Sequence, residues 1–198
     1  MGARADEVAA TRERIARAAQ GLLLARPYED ITLADIATGA GVSHQTVLNH
    51  FDSKEGAAVA ALELLRSEIQ GLRRSVRHGS ASHVVEVLVE QYEQFGDLNV
   101  RWAMSAERLG RLALLLDQAR AGHRIWLETV FGTLLPDAPT ARRRCLNALH
   151  AATDVYTWKL LRRDLLLSRA ETTRTMKALV GGVLEPHRGD DEKAVDEH

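Results

Sequence analysis

The chain has 198 residues, 45% of them hydrophobic, with a formal charge of −1 and an isoelectric point near 6.7. That length fits one domain or two small ones with ample core. The near-neutral charge excludes a nucleic-acid coat that is basic all over, but it leaves room for a local reading face. Cys145 is the single cysteine, which excludes an intramolecular disulfide and a cysteine-based zinc site. It reads as a small buried hydrophobe.

The start, MGARADEVAA, has early acids and no apolar run, unlike a secretory signal. Asp6 stands where a myristoylation signal needs Ser or Thr. No apolar stretch approaches the roughly 18 residues of a membrane span. A cytoplasmic protein without a membrane partner is therefore expected.

In chain order, the pattern is helical almost everywhere, broken by prolines at 27, 136, 139 and 186. Residues 9–25 read as a first helix, with Ile15, Ala18, Ala19, Leu22 and Leu23 on one face, ended by Pro27. Thr32 is placed to cap a short helix carrying Leu33, Ile36 and Ala37. Gly39 and Gly41 end it. Ser43 caps a third helix to about His50, and Ser53 caps a fourth. RHGSASH (77–83) marks a change of texture. Helices are then expected at about 82–96 (Val84, Val85, Leu88, Tyr92 and Phe95 inward), 98–109 and 111–134. The stripe of the last runs Leu112, Leu115, Leu116, Ala119, His123, Trp126, Leu127, Val130, Phe131, Leu134. PDAP interrupts. A helix over 140–163 carries Leu146, Leu149, Thr153, Tyr156 and Leu160, and Ser168 caps the last one, with Met176, Leu179, Val180 and Val183. The tail from 186 is polar and expected to be disordered. The fold class is all-α, with about nine helices.

The stretch GVSHQTVLNHF (41–51) carries the functional signal. Ala37 is small enough to let a second helix cross close to it. Gly41 fits a turn that needs positive φ. Val42 and Val47 fill the angle between the two helices, and Phe51 anchors the second to the core. Ser43, His44, Gln45, Thr46, Leu48, Asn49 and His50 are left on or beside the outward face. In a helix-turn-helix such a helix lies in the major groove. Gln45 and Asn49 each offer a donor and an acceptor, which suits adenine, and His44 can donate to guanine or phosphate. Thr46 can bond a phosphate or meet a thymine methyl. Thr32 and Lys54 open the flanking helices, where free N–H groups attract phosphate, and are expected to set register rather than sequence.

At these residues a resemblance is plain. TLADIATGAGVSHQTVLNHFDSKEG, within residues 9–60, resembles the DNA-binding domain of the TetR family of bacterial transcriptional regulators: Thr-x-x-x-Ile-Ala, Ala-Gly-Val-Ser, then Phe and Ser-Lys-Glu. The rest of the chain matches the family in helical architecture only. The resemblance implies a homodimer, formed through the two C-terminal helices (about 140–163 and 168–184), that binds an inverted-repeat operator in double-stranded DNA. It also implies a small-molecule effector in the second domain and, most often, repression. The corresponding domains are 1–53 for DNA binding, 54–185 for ligand binding and dimerisation, and the tail 186–198. Leu48 departs from the family's usual phosphate-touching Tyr, Gln45 from a small residue, His50 from a Tyr, and Gly56 from a better helix former.

Charge qualifies the reading. Residues 1–54 hold six cations (Arg4, Arg12, Arg14, Arg17, Arg26, Lys54) against seven acids. Few phosphate contacts and modest non-specific affinity are expected. His44 and His50 can gain charge in mild acid, so operator binding is expected to be tighter at pH 6 than at pH 8, and a flat profile contradicts this.

For the effector, Tyr92, Phe95, Trp102, Met104, His123, Trp126, Phe131 and Tyr156 are candidate lining residues, an apolar set with a few polar groups. Each taken singly is better explained as core. No cofactor or metal is implied. The chain has no Gly-rich phosphate loop, G-x-S-x-G elbow or H-E-x-x-H, so an enzyme is not expected. A helix-turn-helix shape that binds protein instead of DNA stays open, with the amides of Gln45 and Asn49 against it.

Overall fold

A computed structural model describes residues 2–105 and 113–193. Its described residues are helical, with no strand, and they form nine α-helices. The chain divides into two compact units, Met1–Gly71 and Leu72–His198.

The first unit holds α1 (Gly2–Ala25), α2 (Leu33–Ala40), α3 (His44–Phe51) and most of α4 (Lys54–Arg73). The unit therefore takes in a helix that the sequence pattern assigns to the second domain. Ile15, Ala19 and Leu23 of α1 are buried, as are Ile36 and Ala37 of α2, and Val47 and Phe51 of α3. Ala57, Ala58 and Ala61 give α4 a small-residue inner face. Thr32 and Asp35 form a reciprocal capping box at the start of α2. Gly41 ends α2 in the left-handed region (φ 63°), its N–H directed to Ala37 and Thr38 carbonyls. Gly56, which looks like a poor helix former in the sequence, is required by packing. A Cβ there would stand 2.1 Å from the Phe51 carbonyl oxygen.

The second unit holds α5 (Ala81–Ser105), α6 (Ala113–Phe131), α7 (Pro139–Thr153), α8 (Val155–Lys159) and α9 (Arg169–Lys193). Its core gathers Val84, Leu88, Leu127, Phe131, Leu149, Trp158 and Met176. Three sequence expectations change here. Residues 82–96 and 98–105 form one continuous helix, because the buried stripe runs on through Phe95, Leu98 and Trp102 without a change of phase. Gly96 lies inside it, where a Cβ would meet the Trp158 ring at 2.4 Å. The expected helix 140–163 is broken at Asp154, which is extended (ψ 152°) and ends α7 while capping α8 through the Tyr156 N–H. A π-helical turn, Leu160–Asp164, comes next. Finally, α9 runs to Lys193, through part of the segment expected as a tail. Residues 106–109 of the expected 98–109 helix, and Leu112 of the next stripe, lie outside the described residues.

Four acids on α5 tie this helix to the chain's C-terminal third. Glu86 meets Lys177, Glu90 meets Arg169, Glu93 takes a bidentate pair from Arg162, and Asp97 another from Arg163. Positions 86, 90, 93 and 97 recur at helical spacing, so all four carboxylates share one face.

Candidate functional site

Helix α3 is built locally. Ser43 caps α3, its Oγ accepting the Thr46 N–H at 3.0 Å and lying 2.8 Å from the Thr46 hydroxyl. Asp52 closes it in the left-handed region, donating its N–H to the Leu48 carbonyl at 2.8 Å. Val47 and Phe51 face inward. His44, Gln45 and Asn49 are exposed, while Thr46, Leu48 and His50 are half-buried. Gln45 Nε2 donates to Asn49 Oδ1 at 2.9 Å, one turn along. That bond fixes the two amides against each other. It leaves the Gln45 carbonyl oxygen and the Asn49 amide N–H groups directed outward, an acceptor beside donors, which is the complement of an adenine edge.

The cations around this helix mostly serve the fold. Arg12 donates to the His50 carbonyl at 2.5 Å and lies over the Phe51 ring at 4.2 Å. Arg14 donates to the Ala40 carbonyl at the end of α2. Arg17 pairs with Glu13 and Glu68, and Arg26 with Asp35. Lys54, expected to meet phosphate, donates to the Tyr28 carbonyl at 3.0 Å and stands 4.1 Å over the Tyr28 ring. Thr32 spends its hydroxyl on the capping box. Of the six cations counted in residues 1–54, five are thus held within the unit. Backbone N–H groups at the helix starts, rather than long cationic side chains, are what remain for phosphate.

In the second unit the structure brings together three of the eight effector candidates. His123 is buried on α6, its Nε2 3.0 Å from the Thr153 hydroxyl and its Nδ1 3.2 Å from Arg73 Nη2. An arginine only donates, so Nδ1 accepts and Nε2 carries the proton. Thr153 accepts that proton and donates its own to the Leu149 carbonyl at 2.7 Å. The Tyr92 hydroxyl donates to the Thr153 carbonyl at 2.8 Å. Trp126 stacks on His123 at 5.9 Å and lies under the Arg73 guanidinium at 4.4 Å. Burial, with the Arg73 charge and His150 beside it, holds the His123 pKa well below the usual imidazole value, so the ring is neutral. Burial also raises the Tyr92 phenol well above its ordinary value.

The other candidates lie elsewhere. Phe131 is wholly buried in the hydrophobic core, and Phe95 and Trp102 are buried on α5. Met104 and Tyr156 stand 68% and 44% exposed, Tyr156 because the break at Asp154 shifts the phase of the helix beyond it. Sequence reasoning missed Arg73 and Gln91. Their signals were faint: an arginine ending an amphipathic helix, and a lone amide within the apolar run VLVEQY. Cys145 is buried and its thiol is pushed up by that burial, consistent with a packing role. Among the described residues no His, Cys, Asp and Glu cluster fit for a metal is found, and no helix is long and apolar enough to cross a membrane.

A capped pair of short helices, joined at a left-handed glycine and presenting amides outward, defines a helix-turn-helix in an all-helical chain. Residues 15–61 match the family model for bacterial regulatory proteins of the tetR family. The chain resembles that family over this N-terminal stretch. It is 32% identical over 85 residues to the HTH-type transcriptional regulator AlkX of Mycobacterium tuberculosis, a match covering 42% of this chain and 40% of that protein. Two solved structures share the fold. A transcriptional regulator from Rhodococcus sp. Rha1 has a TM-score of 0.67 at 20% identity, over 88% of this chain and 96% of that one. A tetR-family transcriptional regulator from Streptomyces coelicolor has a TM-score of 0.65 at 18% identity, over 98% and 86%.

Proposed function

We propose that the protein is a ligand-responsive repressor that binds an inverted-repeat operator as a homodimer, each copy placing residues 43–50 of α3 in a major groove. The observation that carries this reading is the coupled, exposed Gln45–Asn49 amide pair on a helix whose other face is anchored by Val47 and Phe51. A two-fold dimer reads half-sites about one helical turn apart, roughly 10 bp or somewhat more. Base contacts come from His44, Gln45, Thr46 and Asn49. Ser43, Leu48 and His50 line the approach, and Thr32 and Lys54 mark the helix starts nearest the backbone. Dimerisation through the C-terminal helices is supported by exposed apolar side chains at Tyr156, Leu160 and Leu179. The effector binds in the second unit beside Tyr92, His123 and Trp126, and its binding shifts the population away from the DNA-competent state.

Selection of random double-stranded DNA by the full chain tests the proposal. Enrichment of an inverted repeat supports it. A folded dimer that enriches nothing contradicts it and favours the protein-binding alternative. Trp126→Ala or His123→Ala should change the effector response while leaving effector-free DNA binding intact.

A further inference from the structure

We infer that the effector is a small organic anion, an apolar body bearing a carboxylate that pairs with the Arg73 guanidinium; this rests on the ligand-responsive reading above. Arg73 is the last residue of α4 and belongs to the second unit. Its Nε donates to Gln91 Oε1 at 2.9 Å and its Nη2 faces His123 Nδ1 at 3.2 Å. Both partners are neutral. No carboxylate among the described residues pairs with Arg73, whereas Arg142, Arg162, Arg163 and Arg169 of the same unit each hold one. Asp154, the C-cap of α7, faces His150 at 3.6 Å.

This is an unusual place to leave a cation. A half-buried guanidinium without a counter-charge gives up part of its hydration for no ion pair. Here burial depresses the Arg73 pKa, with only the Tyr92 hydroxyl acting against it. Packing on Trp126 offsets part of that cost, and the neutral tautomer of His123 avoids adding a second charge. Five donors in a rigid fork, two of them used, leave the geometry that takes a carboxylate bidentately. The flat faces of Trp126 and His123 beside the fork suit an apolar, preferably planar, body. Gln91 of α5 and His123 of α6 hold the fork, and Thr153 of α7 holds His123 in turn.

The test is thermal melting of the full chain with benzoate, phenylacetate and decanoate, each against its own neutral amide. At least one carboxylate should raise the melting temperature saturably while its amide does not. Arg73→Gln should weaken that binding at least ~10-fold, and Arg73→Lys, which keeps the charge but loses the fork, should fall between. Gln91→Glu places a carboxylate on Arg73 from within the chain. It should fold and abolish the response, which keeps the test decisive if Arg73→Gln does not fold. Equal shifts from acid and amide, shifts that survive in both Arg73→Gln and Gln91→Glu, or no shift from any probe overturn the inference. The same titrations on protein bound to its selected DNA separate the two proposals. Carboxylate binding without DNA release leaves the Arg73 site standing and contradicts ligand-responsive repression. Intact DNA binding with no carboxylate effect contradicts the Arg73 site alone.

Discussion

The two units use their charged side chains differently, although Arg17 and Arg26 of the first also pair with acids. In the first, arginines and Lys54 bind backbone carbonyls and ring faces: Arg12 on His50 and Phe51, Arg14 on Ala40, Lys54 on Tyr28. They hold short helices whose own cores are small, and they leave the outer face of α3 to the Gln45 and Asn49 amides. In the second, four carboxylates on one face of α5 meet four cations from residues 162–177, whereas Arg73 bonds the neutral side chains of Gln91 and His123. Charge that is internally matched builds scaffold. The groups left outside the matching, the outward amides and Arg73, are where partners are expected.

The largest effect should come from the scaffold of the second unit. Trp158 is wholly buried, packs on Gly96 and donates its indole N–H to Glu93. Trp158→Ala is expected to cost about 3–5 kcal/mol in chemical denaturation. In the first unit, Gly56→Ala forces α3 and α4 apart against a backbone oxygen. About 1–3 kcal/mol is expected there, with a fall in DNA affinity that a purely global loss of stability would not produce at low temperature. If the substitution is neutral, the packing account of Gly56 fails.

The ion-pair face is the next test. Glu93→Gln should lower stability by about 1–2 kcal/mol, a modest figure because both Glu93 and Arg162 remain about a fifth exposed. Hydrogen bonds from Arg162, Arg163, Lys177 and Gln94 hold the carboxyls of Glu93, Asp97, Glu86 and Glu90 below the usual range. Their folded pKa values are depressed, so their contribution is present above the ordinary carboxylate values. It is lost as pH falls through the depressed ones. His123 works in the same direction at higher pH, since the unfolded imidazole takes a proton that the folded one resists. A melting profile from pH 7 to 3 should therefore decline first below the ordinary imidazole value and then more steeply below about pH 4.5. His123→Asn should remove the first step and Glu93→Gln should soften the second. The smallest effect belongs to the cap. Ser43→Ala should cost about 1 kcal/mol, confined to the first unit.

The same contrast explains what is legible in the sequence. The features of the first unit are local: Thr32 with Asp35, Ser43 with Thr46, and Ser53 with Gly56 are each three residues apart, and Gly41 announces its own turn. Cap and turn chemistry is visible in a short window. The organising contacts of the second unit join residues far apart: Arg73 and His123 by 50 positions, Tyr92 and Thr153 by 61, Glu93 and Arg162 by 69. Periodicity finds the buried faces of α5, α6 and α7 but not their partners. It also carries the 140–163 helix through Asp154, because a single aspartate is a weak stop unless its side chain caps the next helix. Gly56 is legible as an oddity and not as a contact, since the Phe51 carbonyl that demands it is set by tertiary crossing. Lys54 reads as a phosphate clamp because the Tyr28 ring that holds it lies across the unit.

The central claim, that α3 reads bases through its coupled amides, is tested most directly by measuring the affinity of wild type and Asn49→Ala for every single-base variant of the selected DNA site. The account predicts that the variant loses about 1–3 kcal/mol of discrimination at one or two adjacent positions, mirrored in both half-sites, and keeps its preferences elsewhere. A uniform loss of affinity across all sequences, or unchanged discrimination at every position, would contradict it.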